Sequence, residues 1–234
     1  MPVFSYHLAK VSPLQSLRAF AQRPTRANTD GLIHAEPMAA MELGAPIVST
    51  QRMQLGKLAL FAAWEDEAAL DAFLNQQALG KVLRSGWHLR LQFIRRWGDF
   101  PEFADLPEEA EEHPPQDPVV AVTLARLRLP EVRRFIRWGK PVEEQVRDHP
   151  ATTLALATMR PLRTFSTFSI WKSQQAMTDM VHGRSSGDNA KRHSQAMSER
   201  KRRDFHHHFI TLRFKALSEQ GKWDGSSNYV PPNN

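Results

Sequence analysis

The 234-residue sequence contains no cysteine. That excludes disulfides, thiolate metal sites, a cysteine nucleophile and iron–sulfur clusters, and it agrees with a reducing compartment. No run approaches the ~18 consecutive apolar residues of a membrane span. The opening MPVFSYHLAK lacks the basic, apolar and small-residue order of a signal peptide. The expectation is a soluble, cytoplasmic protein without an integral membrane segment. Also missing are HExxH, a 2-His-1-carboxylate pattern on one element, and the GxSxG elbow of hydrolases. Gly183–Gly187 (GRSSG) matches no phosphate-loop fingerprint. There is no RNP signature, zinc-finger spacing or helix-turn-helix pattern.

Hydrophobic residues make up 41% of the chain and charged residues 24%, which places it among globular proteins. The net charge of +6 is concentrated in Lys191–Arg203 (KRHSQAMSERKRR), opposed by acidic residues between Glu102 and Glu112. Such a run is ordinarily a solvated helix face, so no nucleic-acid partner is expected. Nucleic-acid binding through it is the alternative that would show steep salt dependence.

An internal repeat organises the rest. Phe61-Ala62-Ala63-Trp64 matches Phe168-Ser169-Ile170-Trp171, each ending an apolar run, Lys57–Trp64 and Thr164–Trp171, that reads as a buried strand. A helix follows each, with Ala69, Leu70 and Phe73 after Trp64 as Ala176, Met177 and Met180 follow Trp171. The first half opens with a strand near Val3–Val11 and a helix around Leu14–Gln22 whose face is Leu14, Leu17 and Phe20. The second opens with Val119–Leu127 and a helix around Glu131–Trp138 carrying Val132, Phe135 and Ile136. Leu32–Ala40 and Thr152–Met159 read as second strands, Leu89–Trp97 and His206–Phe214 as last ones. Each half is therefore β-α-β-β-α-β, the ferredoxin-like order, and the fold class is α+β: two such repeats closing one barrel within the chain. The expected divisions are residues 1–100, an acidic Pro-rich linker at 101–118 that is a solvated connector, a second half at 119–220, and a flexible tail at 221–234.

Ten histidines are the chemical candidates. His7, His34, His88, His113, His149 and His182 have no partner at metal-ligand spacing. His193 lies in a charged helix expected from about Asn189 to Arg203, with Asp188 as N-cap. It follows Ala190 by three residues and precedes Met197 by four, so these three share the apolar face. A histidine there is either a satisfied core residue or an imidazole offered to a metal or haem iron. In His206-His207-His208, strand alternation puts His206 and His208 with Ile210, Leu212 and Phe214, making His208 the runner-up ligand and ruling out a tridentate site. Trp64 and Trp171 read as core packing, and Met159, Met177, Met180 and Met197 as filler or the lining of an adaptable apolar cavity. Arg126, Arg160 and Arg163 lie on or beside strands, and no spacing singles one out.

Val120-Ala121-Val122-Thr123, Thr167-Phe168-Ser169-Ile170-Trp171, His193, Ala196, Phe205 and Arg213-Phe214 together resemble the spheroidene monooxygenase family, with weaker echoes in Gly31-Leu32, Phe61–Trp64 and Arg96-Trp97. The resemblance departs at His206–His208, where the family tends to be acidic, and at Lys172, where it favours a turn former. It implies a duplicated dimeric α+β barrel and a haem-dependent monooxygenase. His193 would be the axial ligand of haem b, with Met197 and Ala190 beside it. A small or apolar organic substrate and dioxygen would be the partners. A haem-dependent dehydratase or rearrangement enzyme is the near variant, and a cofactor-free barrel oxygenase or ligand-binding module the distant one. A homodimer is one assembly this reading allows. The first half's last helix, around Gln77–Trp87, offers no inward histidine like His193, so a single active centre is expected in the second half.

Overall fold

The computed structural model describes residues 2–45, 49–161, 164–184 and 191–232. Its first half runs β1 (Val3–Lys10), α1 (Pro13–Ala21), β2 (Leu32–Met41), β3 (Gln54–Trp64), α2 (Glu67–Gln76), α3 (Ala78–Arg84) and β4 (Trp87–Asp99). The second runs β5 (Val119–Leu127), α4 (Val132–Arg147), β6 (Thr152–Arg160), β7 (Thr164–Trp171), α5 (Gln174–Val181), α6 (Arg192–Arg202) and β8 (His206–Gln220). The strands close an antiparallel barrel in the order β1-β3-β2-β6-β7-β5-β8-β4. Each half thus contributes a four-stranded ferredoxin-like sheet. The seams are β2 with β6, through Ala39↔Met159, Ala40↔Thr158 and Met41↔Ala157, and the longer β4 with β8, from His88↔Gln220 to Asp99↔Phe209.

Alternation along each strand sends one set of side chains into the barrel and the other toward the helices. The inward set makes a solid core: Tyr6 stacks on Phe168 at 3.9 Å and Phe4 meets Phe214 at 4.9 Å. Near the short seam the interior turns polar. The Arg160 Nε lies 2.6 Å from Glu36 Oε1, and the His34 Nε2 3.5 Å from Glu36 Oε2. Burial alone would push the Glu36 carboxyl up, but the His34 hydrogen bond and the Arg160 charge outweigh it and hold it below the usual range.

Several expectations need correction. Leu14 and Leu17 are 74% and 50% exposed; α1 instead turns Ser16 and Ala19 to the sheet, where small side chains permit close approach and the Ser16 hydroxyl donates to the Leu55 carbonyl at 2.7 Å. Helix α4 continues nine residues past Trp138 to Arg147, through Pro141. Pro141 removes one backbone donor, and the turn beyond it is secured from outside. Glu143 accepts from the Gly44 N–H at 2.9 Å and pairs with Arg52 at 3.3 Å.

The linker is also less solvated than its composition suggests. Phe103 is 2% exposed and joins the barrel core through Phe4 and Phe61, while the Ala110 N–H donates to the Ile94 carbonyl at 2.7 Å. The tail is packed at its aromatic residues: Trp223 is 7% exposed, and Tyr229 packs edge-on against Trp87. Glu219 accepts from Trp87 Nε1 at 2.7 Å and from the Tyr229 and Val230 amides at 2.9 Å each. Aromatic burial at the barrel ends outweighs local polarity in both segments. No helix among the described residues is long and apolar enough to cross a membrane.

Candidate active site

The two helix–sheet layers are packed differently, and the cause is the outward residues of the strands. In the first half β3 presents Leu58, Leu60, Ala62 and Trp64, which close against Leu70, Phe73, Leu74 and Leu83. The equivalent positions of β7 are Phe165, Thr167, Ser169 and Trp171, and the adjacent strands add Ala121, Thr123, Ala125 and Thr211. Small side chains cannot reach the helices. A cavity of about 1110 Å³ remains between this sheet face and α4, α5 and α6, larger than the roughly 300–1,000 Å³ of ordinary ligand pockets. Its apolar walls include Phe135, Phe165, Met177, Met180 and Phe205.

His193 lines this cavity, partly buried, one residue into α6. Lys191 gives α6 no side-chain cap; the His193 N–H is instead accepted by Gln145 Oε1 of α4 at 3.1 Å. The His193 Nδ1 lies 3.0 Å from the Val181 carbonyl at the end of α5. A carbonyl only accepts, so Nδ1 carries the proton and the neutral ring has its lone pair on Nε2. Burial lowers the His193 pKa below the ordinary imidazole range, against the opposing Val181 bond, and so favours that neutral form. This donor chemistry fits a haem iron: one neutral imidazole, its outer N–H fixed by a carbonyl. Met197 and Ala196 share the cavity wall. Ala190 and the expected cap Asp188 lie outside the described residues, as does Arg163.

The histidine triple departs from simple alternation. Between the pairs Arg126↔His208 and Leu127↔His206 one extra residue, His207, bulges from β8. His208 stays on the interior side, edge-on to Phe100 at 6.3 Å, away from His193's cavity. His206 is turned over to the cavity side, among Phe135, Phe205 and Phe209. The Asp204 carboxylate accepts from its Nδ1 at 2.9 Å, and its buried Nε2 has no partner among the described residues. Burial, only partly opposed by Asp204, lowers the His206 pKa to about 4. The alternation rule missed this residue; a bulge leaves no mark in the residue pattern of HHHF.

Other predicted candidates are placed elsewhere. Arg126 pairs with Glu102 and lies over the Phe100 ring, and Arg160 serves Glu36. His7 and His88 stack on each other at 5.2 Å in the first half. Trp64 and Trp171 are buried, their Nε1 atoms donating to Ser5 Oγ and Ser169 Oγ at 2.9 and 2.8 Å. Among the described residues no three His, Asp or Glu side chains form a metal-holding group. A single axial histidine does not require one.

No protein-family model matches the chain. In sequence it is similar to the spheroidene monooxygenase of Rubrivivax gelatinosus, 28% identical over 169 residues. That match takes in 71% of this chain and 62% of the relative's length. Among solved structures, an aldoxime dehydratase in complex with butyraldoxime covers 97% of this chain and 85% of its own, with a TM-score of 0.54 and 9% identity. A putative monooxygenase from Fusobacterium nucleatum covers 97% and 96%, with a TM-score of 0.39 and 11% identity. The resemblance to spheroidene monooxygenases read from the residues therefore holds, and the fold is the dimeric α+β barrel closed within one chain.

Proposed function

We propose, for this spheroidene monooxygenase-like chain, that the second-half cavity holds haem b on His193 and that the protein oxygenates a small or apolar organic molecule with dioxygen. The observation that carries the reading is the fixed tautomer of His193, with Nδ1–H on the Val181 carbonyl and Nε2 left to bind iron. Haem would supply the redox-active iron at which dioxygen is activated. The chain's own residues would do the rest. The Val181 carbonyl orients the imidazole and raises its basicity as a ligand. Phe135, Phe165, Phe205, Met177 and Met180 offer an apolar surface for the substrate and exclude water from it. On the sheet side, Thr123 and Thr211 share a hydrogen bond at 3.1 Å, and their hydroxyls with that of Thr167 can orient a polar group on the substrate. His206, neutral and oriented by Asp204, presents Nε2 as a proton acceptor at the same cavity.

Haemin titration of the purified protein tests this. The expected result is a Soret band saturating at one equivalent and shifted or lost in His193→Ala, with circular dichroism unchanged. A wild-type protein that develops no Soret band, or a band indifferent to His193→Ala, would refute the assignment.

A further inference from the structure

Arg213, on the outward face of β8, lines the cavity and is 8% exposed. Its guanidinium lies over the Trp97 ring at 4.3 Å, and that of Arg95, its cross-strand neighbour, over the same indole at 4.5 Å. Stacking engages the flat face of a guanidinium and leaves its N–H edge for a planar acceptor. The Nε atoms of both arginines are buried and make no hydrogen bond. Arg95 has Glu109 at 3.5 Å, whereas Arg213 has no acidic partner among the described residues.

The other arginines at the cavity are different. Arg200 meets Asp204 at 3.5 Å, Arg202 meets Glu199 at 2.7 Å, and Arg203 meets Glu131. Burial, and then repulsion from Arg95, lowers the Arg213 pKa to about 10, which still leaves it charged at neutral pH. A buried cation that no acidic side chain among the described residues offsets is costly, and an anionic ligand would relieve that cost.

We propose that Arg213 binds a carboxylate carried by a ligand of this cavity. The proposal rests on the cavity being the ligand site, and does not require iron. Two ligands could bring that group: haem, through a propionate, or an organic substrate with an acid function.

Two probe pairs separate these sources. Haemin is compared with haemin dimethyl ester by Soret titration, and decanoate with decanol by isothermal calorimetry on the cofactor-free protein. Charge-assisted hydrogen bonds are strong enough that the wild type should prefer the carboxylate of at least one pair by about tenfold or more, a preference falling to about twofold in Arg213→Gln. Preference within the haemin pair identifies a propionate; preference within the decanoate pair identifies a substrate acid. If haemin does not bind at all, the haem reading fails and the decanoate pair still decides the role of Arg213. Should Arg213→Gln not fold, Arg213→Lys replaces it. The loss of the planar fork should then reduce the preference by about threefold or more. Equal binding of acid and neutral analogue to the wild type in both pairs, or a preference unchanged by the substitution, would overturn the proposal.

Discussion

Thr167→Leu places in the second half the residue that fills the same position in the first, Leu60. Leu60 is fully buried and closes the first helix–sheet layer, while Thr167 faces the cavity of about 1110 Å³. Fully burying a leucine side chain is worth about 1.5–3 kcal/mol. Incomplete burial and about 0.5–1 kcal/mol of lost rotamer freedom leave a net gain of roughly 1 kcal/mol. For a chain of this length that corresponds to a Tm increase of about 2–4 °C. The same side chain occupies ligand space, so haemin affinity should fall by about tenfold or more, since each 1.4 kcal/mol of lost contact is tenfold. Differential scanning calorimetry and Soret titration on one preparation measure both quantities. Loss of about 1 kcal/mol or more of stability would mean the position is already packed, since overpacking costs about 1–3 kcal/mol. A stabilised protein that binds haemin as before would show that this cavity is not the haem site. Either result refutes the argument that small outward residues open a functional space.

The remaining predictions concern pH and the barrel ends. His206 has a folded pKa of about 4 against an ordinary value of 6.5, so the unfolded chain binds more protons between those values. Its contribution is present above about pH 6.5 and is lost as pH falls toward 4, roughly 3 kcal/mol at most. The lowered His193 and His7 add in the same direction. Urea titrations from pH 7 to 4 should give falling stability, with a shallower slope in His206→Gln; an unchanged slope would remove His206 from the account. Phe103→Ala should cost about 3–5 kcal/mol, because it empties a site among Phe4, Phe61 and Phe100. A loss under about 0.5 kcal/mol, the level of an ordinary surface site, would make the segment the solvated connector its composition suggests. Truncation after Gln220 removes Trp223 and Tyr229 and strips Glu219 of two amide donors. Thermal melts should show destabilisation of more than about 2 kcal/mol, as for other large core losses; an unchanged Tm would contradict the packed tail.

Strand alternation and the repeated aromatic-tryptophan endings determined the fold without any structure, because both signals are local. β5 and β7 begin and end where the residue pattern places them. The apolar stripe of α1 misled because Leu14 and Leu17 are helical neighbours whether or not a sheet lies beneath them; the close approach at Ser16 is a tertiary fact. The side of β8 that His206 faces depends on one bulged residue at His207, which costs no recognisable change in sequence. His193 was legible as the odd histidine on a charged helix. Its tautomer was not, because the Val181 carbonyl that settles it comes from the end of another helix. The repeat by itself established two sheets of one design, and the sequence also carried the substitution of Thr167 and Ser169 for Leu60 and Ala62. Only closure of the helices over those side chains decided that one layer becomes core and the other a cavity. Volume is a property of facing surfaces, and residues far apart in the chain supply the two faces.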